Sequence, residues 1–203
     1  MLGAPVERRD AAANRARILL VARRLLREEG LAAASIDRIA LEAGVGKGTI
    51  FRRFGDRTGL TAALLDDNMR AFQDAFLSGP PPLGPGALPA ERLEAFVDAL
   101  LALIDEDLEI ALAAEDAAPA AVGAVAGALA LHVRALLTEI DPRLDADVVA
   151  TLLLGALSPP VVARLRARGA DLPAQQAAAR ALMRGLTSAG VGGRDARGDR
   201  VVA

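Results

Sequence analysis

The chain has 203 residues, 53% of them hydrophobic but only 2% aromatic, with no cysteine, one histidine and a net charge of −2. Such a chain folds rather than staying disordered, and it is long enough to bury one good core or two small ones. Without cysteine, disulfides, thiolate metal sites and thiol nucleophiles are excluded, and His132 alone excludes a zinc site built on several imidazoles.

The modest net charge hides an asymmetry. Residues 8–57 carry 12 Lys/Arg against 6 Asp/Glu, whereas the remainder carries 12 against 20. A basic N-terminal module on an acidic body suits a polyanion binder with a separate second function.

Taken in chain order, the first residues carry charges early and show no apolar run of leader length, which points to a cytoplasmic protein. Ile18, Leu19, Ala22, Leu25 and Leu26 then form a helical stripe, and Gly30 is placed to end it as a left-handed cap. Ser35 is a good N-cap for a short helix with Ile36, Ile39, Ala40 and Ala43 on one face. Gly44 breaks that helix, and another runs from about Gly46 to Phe54 with Ile50 and Phe54 inward. Asp56 or Thr58 can cap a longer helix, on which Leu65, Met69, Phe72 and Phe76 recur at helical spacing.

The stretch SGPPPLGPGALP (78–89) holds five prolines and three glycines, so a loop is expected there. Leu93, Phe96, Val97, Leu100, Leu101 and Ile104 mark the next helix, and an acidic stretch follows over 105–116. The longest apolar run, 117–133, falls short of roughly 20 residues for a bilayer span and reads as a buried core helix. In it Gly123 and Gly127 would let a neighbouring helix come close. Residues 145–157 are apolar almost all round, as expected when one side meets the core and another a second subunit. Pro159 and Pro160 should kink or split that helix, Arg164, Arg166 and Arg168 follow, and a last helix covers about 173–187. The tail, 190–203, is Gly- and charge-rich and reads as disordered. Strand signals are scarce throughout, so the expected class is all-α.

The stretch GVGKGTIFRRF (44–54) admits two readings. A nucleotide-binding P-loop needs Gly, four residues, then Gly-Lys-Ser/Thr after a buried strand. Here Gly48 follows Lys47, Leu41 stands where the first Gly is required, and the preceding segment has helical period. A helix-turn-helix fits each of these facts, with the second helix laid in the major groove. On that helix Thr49, Arg52 and Arg53 share a face beside the row of Lys47 and Phe51. Long cations at such a position reach base edges, while Thr and Arg fix phosphates.

The sequence SIDRIALEAGVGKGTIFRRFGDRTGLTAALLDD (35–67), with ILLVARRLLREEGL before it, resembles the N-terminal domain of the tetracycline-repressor (TetR) family over about residues 18–65. The resemblance implies a helix-turn-helix DNA-binding domain over 1–57 (ordered from about 12), and an effector-binding and dimerisation domain over 58–189. It makes Lys47 and Arg52 candidates for base contacts, and Ser35, Thr49, Arg53 and Arg57 candidates for phosphate contacts. Gly48 would let the helix approach the groove. Phe51 stands where the family commonly has Tyr, so a phosphate hydrogen bond is replaced by packing on sugar or a thymine methyl. Arg8, Arg9 and Arg15 would extend the footprint, or form only a basic leader.

The resemblance also implies a homodimer through 145–168 and 173–187. It places a small-effector pocket among Phe72, Phe76, Phe96, Leu100, Leu129 and His132, although each of these is also an ordinary core residue. The expected function is a ligand-responsive transcriptional repressor on a palindromic operator, with no cofactor, metal or membrane partner. An enzyme finds no support in paired motifs. A helical protein that kept the fold and lost DNA binding is the remaining rival, favoured by Phe51 alone.

Overall fold

The computed structural model describes residues 4–191, with the side chains of 4–9, 31–33 and 186–191 excepted. The expectation for the tail beyond residue 191, and that for the side chains of Arg8 and Arg9, lies outside the described residues. Ten helices and no strand make up the described chain. They are α1 (Ala4–Ala33), α2 (Ile36–Glu42), α3 (Lys47–Phe54), α4 (Arg57–Ser78), α5 (Pro89–Glu106), α6 (Leu108–Ala117), α7 (Pro119–Ile140), α8 (Ala146–Ala156), α9 (Pro159–Ala167) and α10 (Leu172–Val191). By packing, the described residues fall into one unit of 4–71 and 106–125 and a second of 72–105 and 126–191. Three helices, α4, α5 and α7, contribute residues to both.

The first unit is built around Ile18, Leu19, Ala22, Leu25 and Leu26 of α1, which bury against Ile39 and Ala40 of α2 and Ile50 of α3. Leu60 and Leu64 of α4 and Ile110 of α6 close the same core. The inward residue on α4 is Leu64, fully buried, and not the half-buried Leu65 that the spacing suggested. Asp56 caps this helix: its Oδ1 accepts the Gly59 N–H at 2.8 Å and fixes where α4 starts. Gly30 interrupts α1 as expected, with φ 76° but ψ −178°, an extended turn in place of the left-handed cap.

A polar knot crosses this unit. Asp107, buried between α5 and α6, accepts from Arg27 of α1 and from the Asn68 amide of α4. Arg23 donates to Asn68 and stands 3.8 Å from the same carboxylate. A buried carboxylate shared in this way ties three helices at one point, because each partner removed would leave a charge unpaired.

In the second unit α5 buries Leu93, Phe96, Val97, Leu100, Leu101 and Ile104, and α7 buries Leu129, Val133, Leu136 and Leu137. Asp98 of α5 receives Arg180 at 2.5 Å and, through its carbonyl, Gln176 at 3.0 Å, both from α10. The double proline splits the predicted helix into α8 and α9, bent by 43°, with Pro159 and Pro160 opening α9 where their missing N–H groups cost nothing.

Two expectations for α7 are corrected. It runs 22 residues and is long and apolar enough to cross a bilayer by length and composition, yet most of that apolar surface is exposed and not buried in a core. The reason is composition: its alanines raise the hydropathy while offering only a methyl group each to pack. At Gly123 and Gly127 nothing else among the described residues comes within 4 Å of where a Cβ would stand, so the space beside them is open.

Candidate nucleic-acid interface and aromatic cluster

The helix-turn-helix forms from local chemistry. Ser35 Oγ accepts the Arg38 N–H at 3.2 Å and starts α2. Gly44 turns the chain with φ 62°, a conformation that costs an L side chain about 1 kcal/mol or more. The Val45 N–H returns to the Ala40 carbonyl at 3.0 Å, and Gly46, in extended conformation, opens α3. Ile50 is fully buried and Phe54 packs at the edge of the core, so the opposite face of α3 must point to solvent.

That outer face carries Lys47, Gly48, Phe51, Arg52 and Arg53, all exposed, with Thr49 half-buried beside them. The structure therefore brings the predicted group together on one module. Lys47 meets Asp37 of α2 at 2.6 Å, both side chains more than half exposed. The Arg53 guanidinium donates to the Ala11 carbonyl, while Arg52 has no partner among the described residues. Arg57 opens α4 and is exposed. Arg15 pairs with Asp67 at 2.9 Å, which ties it to α4.

Most of the module's acids are already committed. Glu29 takes Arg38 through two bonds of 2.6 Å, and Glu42 serves Arg38 and Arg24. These pairs hold the Glu42 carboxyl below the usual range, with the Arg38 hydrogen bond the largest cause. Arg17, Arg52 and Arg53 have no acidic partner among the described residues, so their charge faces outward uncompensated.

Gly48 supplies a sharper observation. It lies in the first turn of α3 with ordinary helical φ, and nothing stands within 4 Å of where its Cβ would be. Glycine within a helix costs about 0.5–1 kcal/mol relative to alanine. Nothing inside the chain requires that cost.

In the second unit Phe72, Phe76 and Phe96 form a triangle with centroids 5.2 to 5.3 Å apart, and His132 stacks on Phe76 at 4.3 Å and lies 5.3 Å from Phe96. The sequence listed these four together with Leu100 and Leu129, both buried in the same unit. His132 Nε2 is buried without a hydrogen-bond partner, and burial, then the charge of Arg92, lowers its pKa to about 4. Sequence reasoning passed over Arg92, although it stands one turn before Phe96 on α5. Its signal was that i, i+4 spacing. No group of His, Asp or Glu able to hold a metal ion occurs among the described residues.

Comparison with known proteins follows the same division. Residues 18–64 match the model of bacterial regulatory proteins of the tetR family. An HTH-type transcriptional regulator of Staphylococcus aureus (strain bovine RF122 / ET3-1) is 39% identical over 69 residues, covering 34% of this chain and 37% of that protein. The chain thus aligns with little more than a third of the curated relatives' length. Among solved structures, a TetR-like transcriptional regulator from Rhodococcus sp. RHA1 superposes with TM-score 0.63 at 24% identity, over 86% of this chain and 96% of that one. A TetR transcription regulator from Haloarcula marismortui gives 0.69 at 22% identity, over 88% and 98%. Most of the chain shares their fold, and the family model falls on the helix-turn-helix. Residues 18–64 thus carry the sequence pattern of the N-terminal domain of the tetR family of bacterial regulatory proteins, and solved TetR-type regulators share the fold.

Proposed function

We propose that this protein is a ligand-responsive transcriptional repressor that binds a palindromic operator as a homodimer. The carrying observation is the outer face of α3, where uncompensated cations flank a glycine with no internal reason to be one. On this reading Lys47 and Arg52 meet base edges, and Ser35, Thr49, Arg53 and Arg57 meet phosphates. Ser35 keeps its hydroxyl hydrogen for a phosphate, since capping α2 uses only the oxygen as acceptor. Phe51, 50% exposed, packs on sugar or a thymine methyl. Functionally the division is 1–57 for DNA and 58–189 for effector and dimer, and α4 is the lever between them. A small effector bound among Phe72, Phe76, Phe96, Leu100, Leu129 and His132 releases DNA because it prefers a conformer with misplaced recognition helices.

Two apolar stripes support the dimer. Val148, Leu152 and Gly155 on α8 and Ala178, Leu182 and Gly185 on α10 share one spacing, i, i+4, i+7, and all six are exposed. Leu152 and Leu182 are 68% and 67% exposed, and no atom comes within 4 Å of the Cβ position at Gly155 or Gly185. A second copy of the same helices would cover both stripes, giving a four-helix contact with two-fold symmetry. Sedimentation velocity of wild type and of Leu152→Glu/Leu182→Glu should show a dimer and a folded monomer. A monomeric wild type removes the dimer. Selection of genomic fragments by the full chain should enrich an inverted repeat, and no enrichment over scrambled DNA removes the operator.

A further inference from the structure

The aromatic cluster of the second unit contains a polar mismatch. Arg92 of α5 stands four residues before Phe96, on the same face of the helix. Its guanidinium donates to the Phe76 carbonyl at a long 3.4 Å, and its Nε is buried with no hydrogen-bond partner. The other ion-paired arginines of this unit, Arg134, Arg143, Arg166 and Arg180, each have a carboxylate. Arg92 has none among the described residues. His132 Nε2, on a ring stacked against Phe76, is likewise buried and unpartnered.

An unpaired cation and an unpaired ring nitrogen beside three phenyl rings are costly as they stand. The same groups are complementary to one kind of visitor. We infer that the effector is an apolar molecule bearing a single acidic group, its anion held by Arg92 and His132 and its apolar body by Phe72, Phe76 and Phe96. This rests on the reading of the cluster as the effector site. A carboxylate accepts from guanidinium and imidazole at once and supplies the missing counter-charge. An alcohol of the same shape satisfies hydrogen bonding and leaves the Arg92 charge unpaired. An amine adds a second cation. The neutral state of His132 fits this arrangement, because a neutral imidazole protonated at Nε2 is a donor whose proton a carboxylate accepts.

The test uses the full chain and three matched series: straight-chain carboxylates of about six to twelve carbons, the alcohols, and the primary amines of equal length, a span that covers small and extended apolar bodies. Thermal unfolding followed by circular dichroism and titration calorimetry read binding to wild type, Arg92→Gln and Arg92→Lys. Carboxylates should bind and raise Tm, alcohols should bind about tenfold more weakly or worse, and amines should not bind. Arg92→Gln should reduce carboxylates to the level of alcohols, and Arg92→Lys, which keeps the charge, should recover part of the loss. Alcohols that bind wild type as tightly as carboxylates overturn the acidic effector and leave the cluster a ligand site. Failure of all three series to bind wild type overturns the ligand site itself, and the acidic effector with it.

Discussion

The two units meet their proposed partners with opposite chemistry. The outer face of α3 is charged, sparse and tied to one backbone geometry, whereas the faces of α8 and α10 are apolar, small and repetitive. On the proposed reading, a phosphate backbone of fixed charge and spacing would restrict which side chains can stand on α3. An apolar face or aromatic cluster tolerates many sequences of similar volume. The similarities are consistent with this contrast: the family model matches residues 18–64 alone, while solved structures share most of the fold at 22–24% identity.

The most severe test of the contrast is Lys47→Ala with Arg52→Ala. Each base contact is worth about 1–3 kcal/mol, so the pair should lose about 100-fold or more in preference for the operator. Tm should stay within a degree or two, since surface substitutions of this kind cost about 0.5 kcal/mol or less. Competition binding and thermal unfolding check the two halves of the statement. If Tm falls with affinity, α3's outer face holds the fold together and the contrast is lost.

Next in size is Asp107→Ala. It leaves Arg23 and Arg27 without their shared carboxylate and Asn68 without its acceptor. Both arginines are partly solvated, so the expected loss is about 2 kcal/mol, less than for a fully buried pair. A chain of this length should then melt about 4–8 °C lower. An unchanged Tm would show that the knot holds nothing.

Gly48→Ala separates folding from binding by sign. The added methyl has free space around it, so stability should rise by about 0.5–1 kcal/mol while DNA affinity falls. Denaturant unfolding and anisotropy measure the two effects. A rise in both would remove the reason given for glycine at this position.

A further effect belongs to the second unit and depends on pH. His132 is the only imidazole in the chain. Unfolded, it takes a proton near pH 6.5, and folded only near pH 4. Between those values the unfolded state binds more protons, so stability falls as pH drops from 6.5 toward 4 and the loss is complete below the folded value. Thermal unfolding of wild type between pH 5 and 7 should show this slope, and His132→Phe should flatten it. An unaltered slope would place the titration elsewhere.

How far the sequence was legible divides by the range of the contact and not by unit. Ser35, Gly44 and Asp56 were readable because a cap or a turn acts within three or four residues of itself. The split at Pro159 and Pro160 was readable for the same reason. Asp107 was not: its partners Arg27 and Asn68 lie 80 and 39 residues away, and within an acidic run nothing marked it as the buried member. The role of Arg92 likewise depends on Phe76, 16 residues earlier and on another helix. The exposure of α7 escaped because alanine and glycine look alike on a buried face and an open one. Leu64 and not Leu65 is buried because the face of α4 that meets α1 carries Leu60 and Leu64, while Met69, Phe72 and Phe76 are buried as the spacing suggested.

Fluorescence anisotropy on the genomic fragment that the full chain enriches most strongly tests the central claim most directly. Wild type and Lys47→Ala/Arg52→Ala would be titrated between about 50 and 200 mM salt, against scrambled DNA of equal length. The account predicts tighter binding of wild type to the selected fragment, affinity falling steeply as salt rises, and no preference in the variant. Equal binding of wild type to both DNAs, or a variant as selective as wild type, would contradict it.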